Sequence, residues 1–163
     1  MTNAELVALK NDVIGPKASV VFQGDTLLNW WTLNGGQDQV IADFYNQTVI
    51  PAVLIWRPNV MREELIRSLD GAVFVSNGWS AAQRALFQIV CSTEILNATD
   101  ANTRAQFSAM ASGAQITTWT AVSRRNATYC EALFSGAPVS GASISARFNY
   151  QLSAIDVSMA HNV

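Results

Sequence analysis

Histidine occurs once in this chain, at His161, and cysteine and lysine twice each, at Cys91, Cys130, Lys10 and Lys17. Each shortage excludes a kind of chemistry. A single histidine supports no multi-histidine metal site and leaves only His161 as a possible base for a Ser-His-Asp triad. Its place near the C-terminus, where chain ends fray, makes it a poor general base. The two cysteines fall on apolar faces of helical patterns and lack an activating motif. They read as small buried hydrophobes, not as a disulfide, a metal pair or reactive thiols. With few lysines and a net charge of −2, nothing stands ready to neutralise a phosphate backbone, so no specific nucleic-acid role is expected. No glycine-rich phosphate loop is present: Gly35-Gly36 and Gly71 are turn glycines. Glu63 and Glu64 are neighbours on a predicted helix and point apart, as a solvated pair near its start rather than an acid–base dyad. No long hydrophobic run exists either. The apolar stretch 49–56 contains Pro51 and is too short for a bilayer, and the polar opening MTNAELVALKND does not read as a signal peptide. These exclusions predict a soluble protein without membrane, metal or cofactor, and no enzyme of a common class.

Charge is scarce as well, at 13% of residues against roughly 25% in ordinary soluble domains, while half the chain is hydrophobic. Such a surface must rely on Ser, Thr, Asn and Gln, or be covered by partners. Five tryptophans and seven phenylalanines favour the second reading, because aromatics concentrate at interfaces; the alternative is a large ordinary core. The length of 163 residues fits one domain able to build that core without staples.

Helical patterns dominate. Residues 3–12 form a first helix with Asn3 as cap. Residues 26–33 follow behind Asp25 and carry Trp30 and Trp31, whose rings cannot share one helix face: one is expected in the core, the other toward a neighbour or partner. Further helices are predicted over 37–47, over 60–69 behind Asn59, and behind the capping box Ser80-Ala81-Ala82-Gln83 to about 94, with Ala82, Leu86, Phe87, Val90 and Cys91 inward. Another runs from Thr99 or Asp100 to about 111. Residues 52–56 are extended or a buried connector. The longest pattern covers 115–134, where Ile116, Trp119, Ser123, Ala127, Cys130 and Phe134 recur at spacings of three and four and predict one continuous helix. Arg124 and Arg125 sit beside that stripe as a basic pair, read as a solvated flank or as a contact for an acidic partner surface. After Phe134 comes the small-residue stretch SGAPVSGAS. Then Ile144, Ala146, Phe148 and Tyr150 alternate as a strand should, and Ser153 and Asp156 frame a last helix to about Ala160. The fold class expected is mainly α: a bundle-like, multi-helix single domain over 1–136, with 137–163 as loop, short β-hairpin or extended C-terminal arm, and short helix.

Several segments, in order, resemble a family of small virion-associated proteins of tailed bacteriophages. They are the opening AELVALKNDV; VIADFYNQT, with Ile41, Ala42, Asp43, Tyr45 and Asn46; the Trp56-Arg57 step after Pro51; and SRRNATYCEALF, where Arg125, Ala127, Thr128, Glu131, Leu133 and Phe134 fit the pattern RxATxxExLF. The close SAIDVSMAHN is similar to SxxDVxxARN, with His161 in place of the arginine. Residues 143–150 match no part of the pattern. The resemblance implies a non-enzymatic structural subunit, made in the host cytoplasm and carried in the virion. By analogy of fold, a helical body with a terminal segment suits a head–tail connector: an adaptor ring at the neck, of about twelve copies, whose partners are itself, the portal and other neck or tail proteins. A hinge over 135–141 would release 144–163 to reach a neighbour. The candidate interface residues are Trp30, Trp31, Arg124, Arg125, Phe148 and Tyr150. The alternatives are a capsid cement or decoration protein, a tail-completion protein and, from another class, a small helical enzyme.

Overall fold

A computed structural model describes residues 1–33, 37–69, 79–111, 113–134 and 151–163. The fold is mainly helical, with small two-stranded antiparallel sheets, as the periodicity predicts. Its described residues fall into two compact units. Unit 1 comprises 1–53, 126–134 and 151–163, and unit 2 comprises 54–125.

Unit 1 opens with α1 (Asn3–Ile14). Its cap is Thr2 rather than Asn3: the Thr2 hydroxyl accepts from the Glu5 amide and the Glu5 carboxylate accepts from the Thr2 amide. This reciprocal box satisfies two helix-end amides that would otherwise go unpaired. A hairpin of β1 (Val21–Phe22) and β2 (Asp25–Thr26) follows. Its two-residue loop, Gln23-Gly24, has positive φ at both positions, 50° and 93°, the backbone twist that tight hairpins demand. Next come α2 (Leu27–Thr32), capped by Thr26 rather than Asp25, and α3 (Asp38–Tyr45). Much later in sequence, α8 (Tyr129–Phe134) and α9 (Ala154–His161) join them. Leu6, Leu9, Val13, Leu27, Ile41 and Tyr45 pack with Cys130, Leu152, Val157 and Ala160 in one apolar core. The last helix is therefore a core element. Its N-terminal approach is held by Asn46, whose amide donates to the Leu152 carbonyl at 2.9 Å while its carbonyl accepts from the Leu152 amide at 2.7 Å. The part of the expected arm from Leu152 onward is thus packed in place rather than released. The predicted strand over 144–150 and the hinge over 135–141 lie outside the described residues.

Unit 2 contains β3 (Leu54–Trp56), β4 (Val60–Met61), α4 (Arg62–Arg67), α5 (Ala81–Val90), β5 (Ile95–Leu96), α6 (Ala101–Met110), α7 (Gly113–Val122) and β6 (Arg124–Asn126), of which Asn126 belongs to unit 1. The helix predicted over 60–69 is shortened, because Val60 and Met61 pair with Leu96 and Ile95 in a strand. Ser80 and Gln83 form the expected box in front of α5, and Asp100 caps α6. Aromatic rings fill this core. Trp119 is fully buried, with Phe87 stacked on it at 5.7 Å and Trp79 meeting it edge-on at 5.6 Å. Ala82, predicted inward on α5, is exposed.

The helix predicted over 115–134 is two helices with a strand between them. β6 pairs with β3, and its flanks pair too. In unit 2 the Arg57 amide donates to the Ser123 carbonyl; in unit 1 the Ala127 amide donates to Val53 and the Val49 amide to Ala127. Thr128 then restarts the helix: its hydroxyl accepts from the Glu131 amide at 3.2 Å, and its amide donates to the Glu131 carboxylate at 3.0 Å. A Thr-x-x-Glu capping box marks a helix start, and it overrides the apolar spacing. Ile116, Trp119 and Ser123 serve unit 2, while Ala127, Cys130 and Phe134 serve unit 1.

Candidate interface surfaces

Of the predicted interface residues, Trp30 and Trp31 belong to unit 1 and Arg124 and Arg125 to unit 2. Trp31 is 7% exposed and lies in the core of unit 1. Its ring stacks on the His161 imidazole, centroids 3.7 Å apart, and His161 Nε2 stands 3.2 Å from the Asp38 carboxylate. His161 is accordingly fixed, not frayed, and its two partners tie α9 to α2 and α3. Trp30 is half-buried, and its indole N–H donates to the Phe22 carbonyl at 2.8 Å. Of the pair, Trp31 faces the core and Trp30 keeps free ring area. Arg124 and Arg125, both half-buried, stand on the strand β6 rather than on a helix flank. The Arg124 guanidinium lies over the Trp56 ring at 4.1 Å, and that of Arg104 lies over the same ring at 5.3 Å. Burial first, and then the neighbouring Arg104 charge, lower the pKa of Arg124. Arg104 is held in turn by the Ala98 and Thr99 carbonyls, at 3.0 and 2.6 Å. Phe148 and Tyr150 lie outside the described residues.

Several carboxylates are occupied structurally. Glu5, Glu131 and Asp156 close helix N-termini. Glu64 accepts from the Met61 amide and, through both oxygens, from the Arg57 guanidinium at 2.9 Å. It is therefore a clamped residue rather than half of a solvated pair, and the Arg57 bonds hold its carboxyl below the usual range. Asp12 accepts from the buried Tyr45 hydroxyl at 2.6 Å. Burial and that bond to Asp12 push Tyr45 far above the ordinary phenol range. The Cys130 thiol is pushed up to about 12 by burial and by the nearby Glu131, Asp156 and Glu5 charges, and burial raises Cys91 as well. Thiols so placed stay protonated and unreactive. Among the described residues, no group of three or more His, Cys, Asp or Glu side chains is placed to hold a metal ion. Nor is any helix among them long and apolar enough to cross a membrane.

Each unit instead presents uncharged surface. In unit 2, α5, α6 and α7 carry two charged side chains in thirty residues, Arg84 and Arg104. Ala81, Ala85 and Ile89 line the outer face of α5, and Ala101, Ala105 and Ala109 that of α6. Ile89 is 66% exposed and Ile95, on β5, 53%. In unit 1, Ile155 and Met159 stand one turn apart on the solvent side of α9, 72% and 44% exposed. The sequence held a signal for these positions. Ile89 falls outside the stripe Leu86, Phe87, Val90 and Cys91, and a large aliphatic residue off the core stripe marks a surface worth naming. Against known proteins, no family model matches the chain, and no curated protein or solved structure matches it significantly.

Proposed function

We propose that this chain is a non-enzymatic structural subunit of a tailed-phage virion, made in the host cytoplasm and built into a ring at the head–tail neck. There it adapts the portal to the tail. The observation that carries this reading is the scarcity of charge on the exposed faces of α5 and α6 together with the exposed isoleucines of both units. Depletion of charge distinguishes the centre of a protein interface from ordinary surface. Support also comes from Glu5, Glu131 and Asp156, spent on helix ends, and from Glu64, Asp12 and Asp38, spent on Arg57, Tyr45 and His161. The ordered segments that resemble phage virion proteins point to the particle.

Imaging of purified particles carrying a labelled copy of this chain tests the reading. A ring of about a dozen copies between portal and tail is the expected result. Copies spread over the capsid lattice would assign a cement protein instead, and copies at the tail end a tail-completion protein.

A further inference from the structure

The two units carry opposite charge. Among the described residues, unit 1 has seven carboxylates against Lys10 and Lys17, a net of −5. Unit 2 has seven arginines against Glu63, Glu64, Glu94 and Asp100, a net of +3. Each unit also exposes large aliphatic side chains: Ile155 and Met159 on α9 of unit 1, Ile89 and Ile95 in unit 2. These aliphatic positions belong to the docking problem because water contact with them is unfavourable and nothing in either unit's own core uses them.

We propose that the chain self-associates head to tail, the α9 face of unit 1 in one copy docking on the α5 face of unit 2 in the next. Charge selects the pairing. Unit 1 against unit 1 would set two acidic units together, and unit 2 against unit 2 two basic ones; only the mixed contact is attractive. A contact between two different faces is heterologous and leaves one of each open at the ends, so it propagates from copy to copy. The inference deepens the ring reading and rests on it for its biological setting, but not for its test.

The experiment uses the full-length purified chain, with association followed by sedimentation velocity over a range of concentrations. Wild-type protein is expected to associate, and more weakly at about 0.5 M than at about 0.05 M NaCl. Ile155→Asp disables the unit 1 face and Ile89→Asp the unit 2 face; each is exposed, so the helical circular dichroism stays unchanged. Either variant alone is expected to lose association by about tenfold or more. An equimolar mixture of the two keeps one good face of each kind and should form a 1:1 heterodimer that grows no further. Met159→Glu, on the same face as Ile155, should reproduce Ile155→Asp, so a folding defect in one variant does not decide the matter. A wild-type chain that stays monomeric overturns the proposal. So does an Ile89→Asp variant that still self-associates, which would place the contact between two α9 faces. So does a mixture that fails to dimerise while each variant remains folded. A neck position in the particle without heterodimer rescue would leave the ring reading standing and this contact refuted; rescue with copies found elsewhere in the particle would do the reverse.

Discussion

Tyr45 is buried, and its hydroxyl reaches Asp12 across thirty-three residues of sequence. Neither partner advertises the other, because helical spacing reports which face is apolar and says nothing about a remote acceptor. Tyr45→Phe keeps the ring and deletes the bond, so it should cost about 1 kcal/mol in urea unfolding. Cys130 was legible from its apolar neighbours alone. Its thiol should resist alkylation in the native protein at pH 8 and react promptly once the chain is unfolded, which a timed labelling assay reads directly. The expectation of a solvated Glu64 fails because its clamp, Arg57, lies outside the helix that carries it. Its folded pKa is depressed, so its contribution is present above the ordinary carboxylate pKa and is lost as pH falls through the lower folded value. The stability gap between the wild-type protein and Glu64→Gln should accordingly be open at pH 7 and close as pH drops below about 4. Denaturant titrations at stepped pH would show it, and a gap constant across that range would refute the clamp.

At the scale of elements, the break in 115–134 separates what local sequence encodes from what pairing imposes. Every member of the predicted stripe is buried or half-buried, so the apolar reading of those residues is correct. The continuity is not, because past the Ser123 amide, which still bonds back to Trp119, the Ser123 carbonyl, the strand β6 and Ala127 pair with the 48–57 segment instead of continuing a helix. Partners some seventy residues away leave no trace in a window of eighteen. The restart at Thr128 was readable, because Thr-x-x-Glu is a local signal, and the same holds for Thr2 with Glu5 and Ser80 with Gln83. Thr128→Ala should destabilise the protein by about 1 kcal/mol through the lost cap. The same exchange at Thr117, exposed on α7, should lie within about 0.5 kcal/mol of zero. If 115–134 behaved as one helix, the two substitutions would be indistinguishable by thermal unfolding.

For the molecule as a whole, the mainly helical class was legible because caps and periodicity are local properties summed along the chain. The division into two units was not, since it depends on which distant segments share a core. Of the candidate surface, the low charge was visible in composition, but which helix faces stay bare is decided by packing. The C-terminal helix shows the difference most clearly. Truncation after Gln151 removes Leu152, Val157 and Ala160 from the unit 1 core, and it should cost more helical circular dichroism than the eight residues of α9 themselves supply. Loss limited to those residues would mean that the core of unit 1 closes without them. That core has a further consequence in time. Its first part, 1–53, leaves the ribosome well before 126–163, with residues 54–125 of unit 2 translated in between. At elongation rates of about 5–20 residues per second the wait is on the order of ten seconds. During it, α1 to α3 have no α9 to lie against, whereas unit 2 has all its described strands and helices in hand once Arg125 emerges. Unit 2 is therefore expected to fold first during synthesis, and the surface carrying Ile155 comes into being only when translation has passed it, a built-in delay before the proposed head-to-tail contact can form.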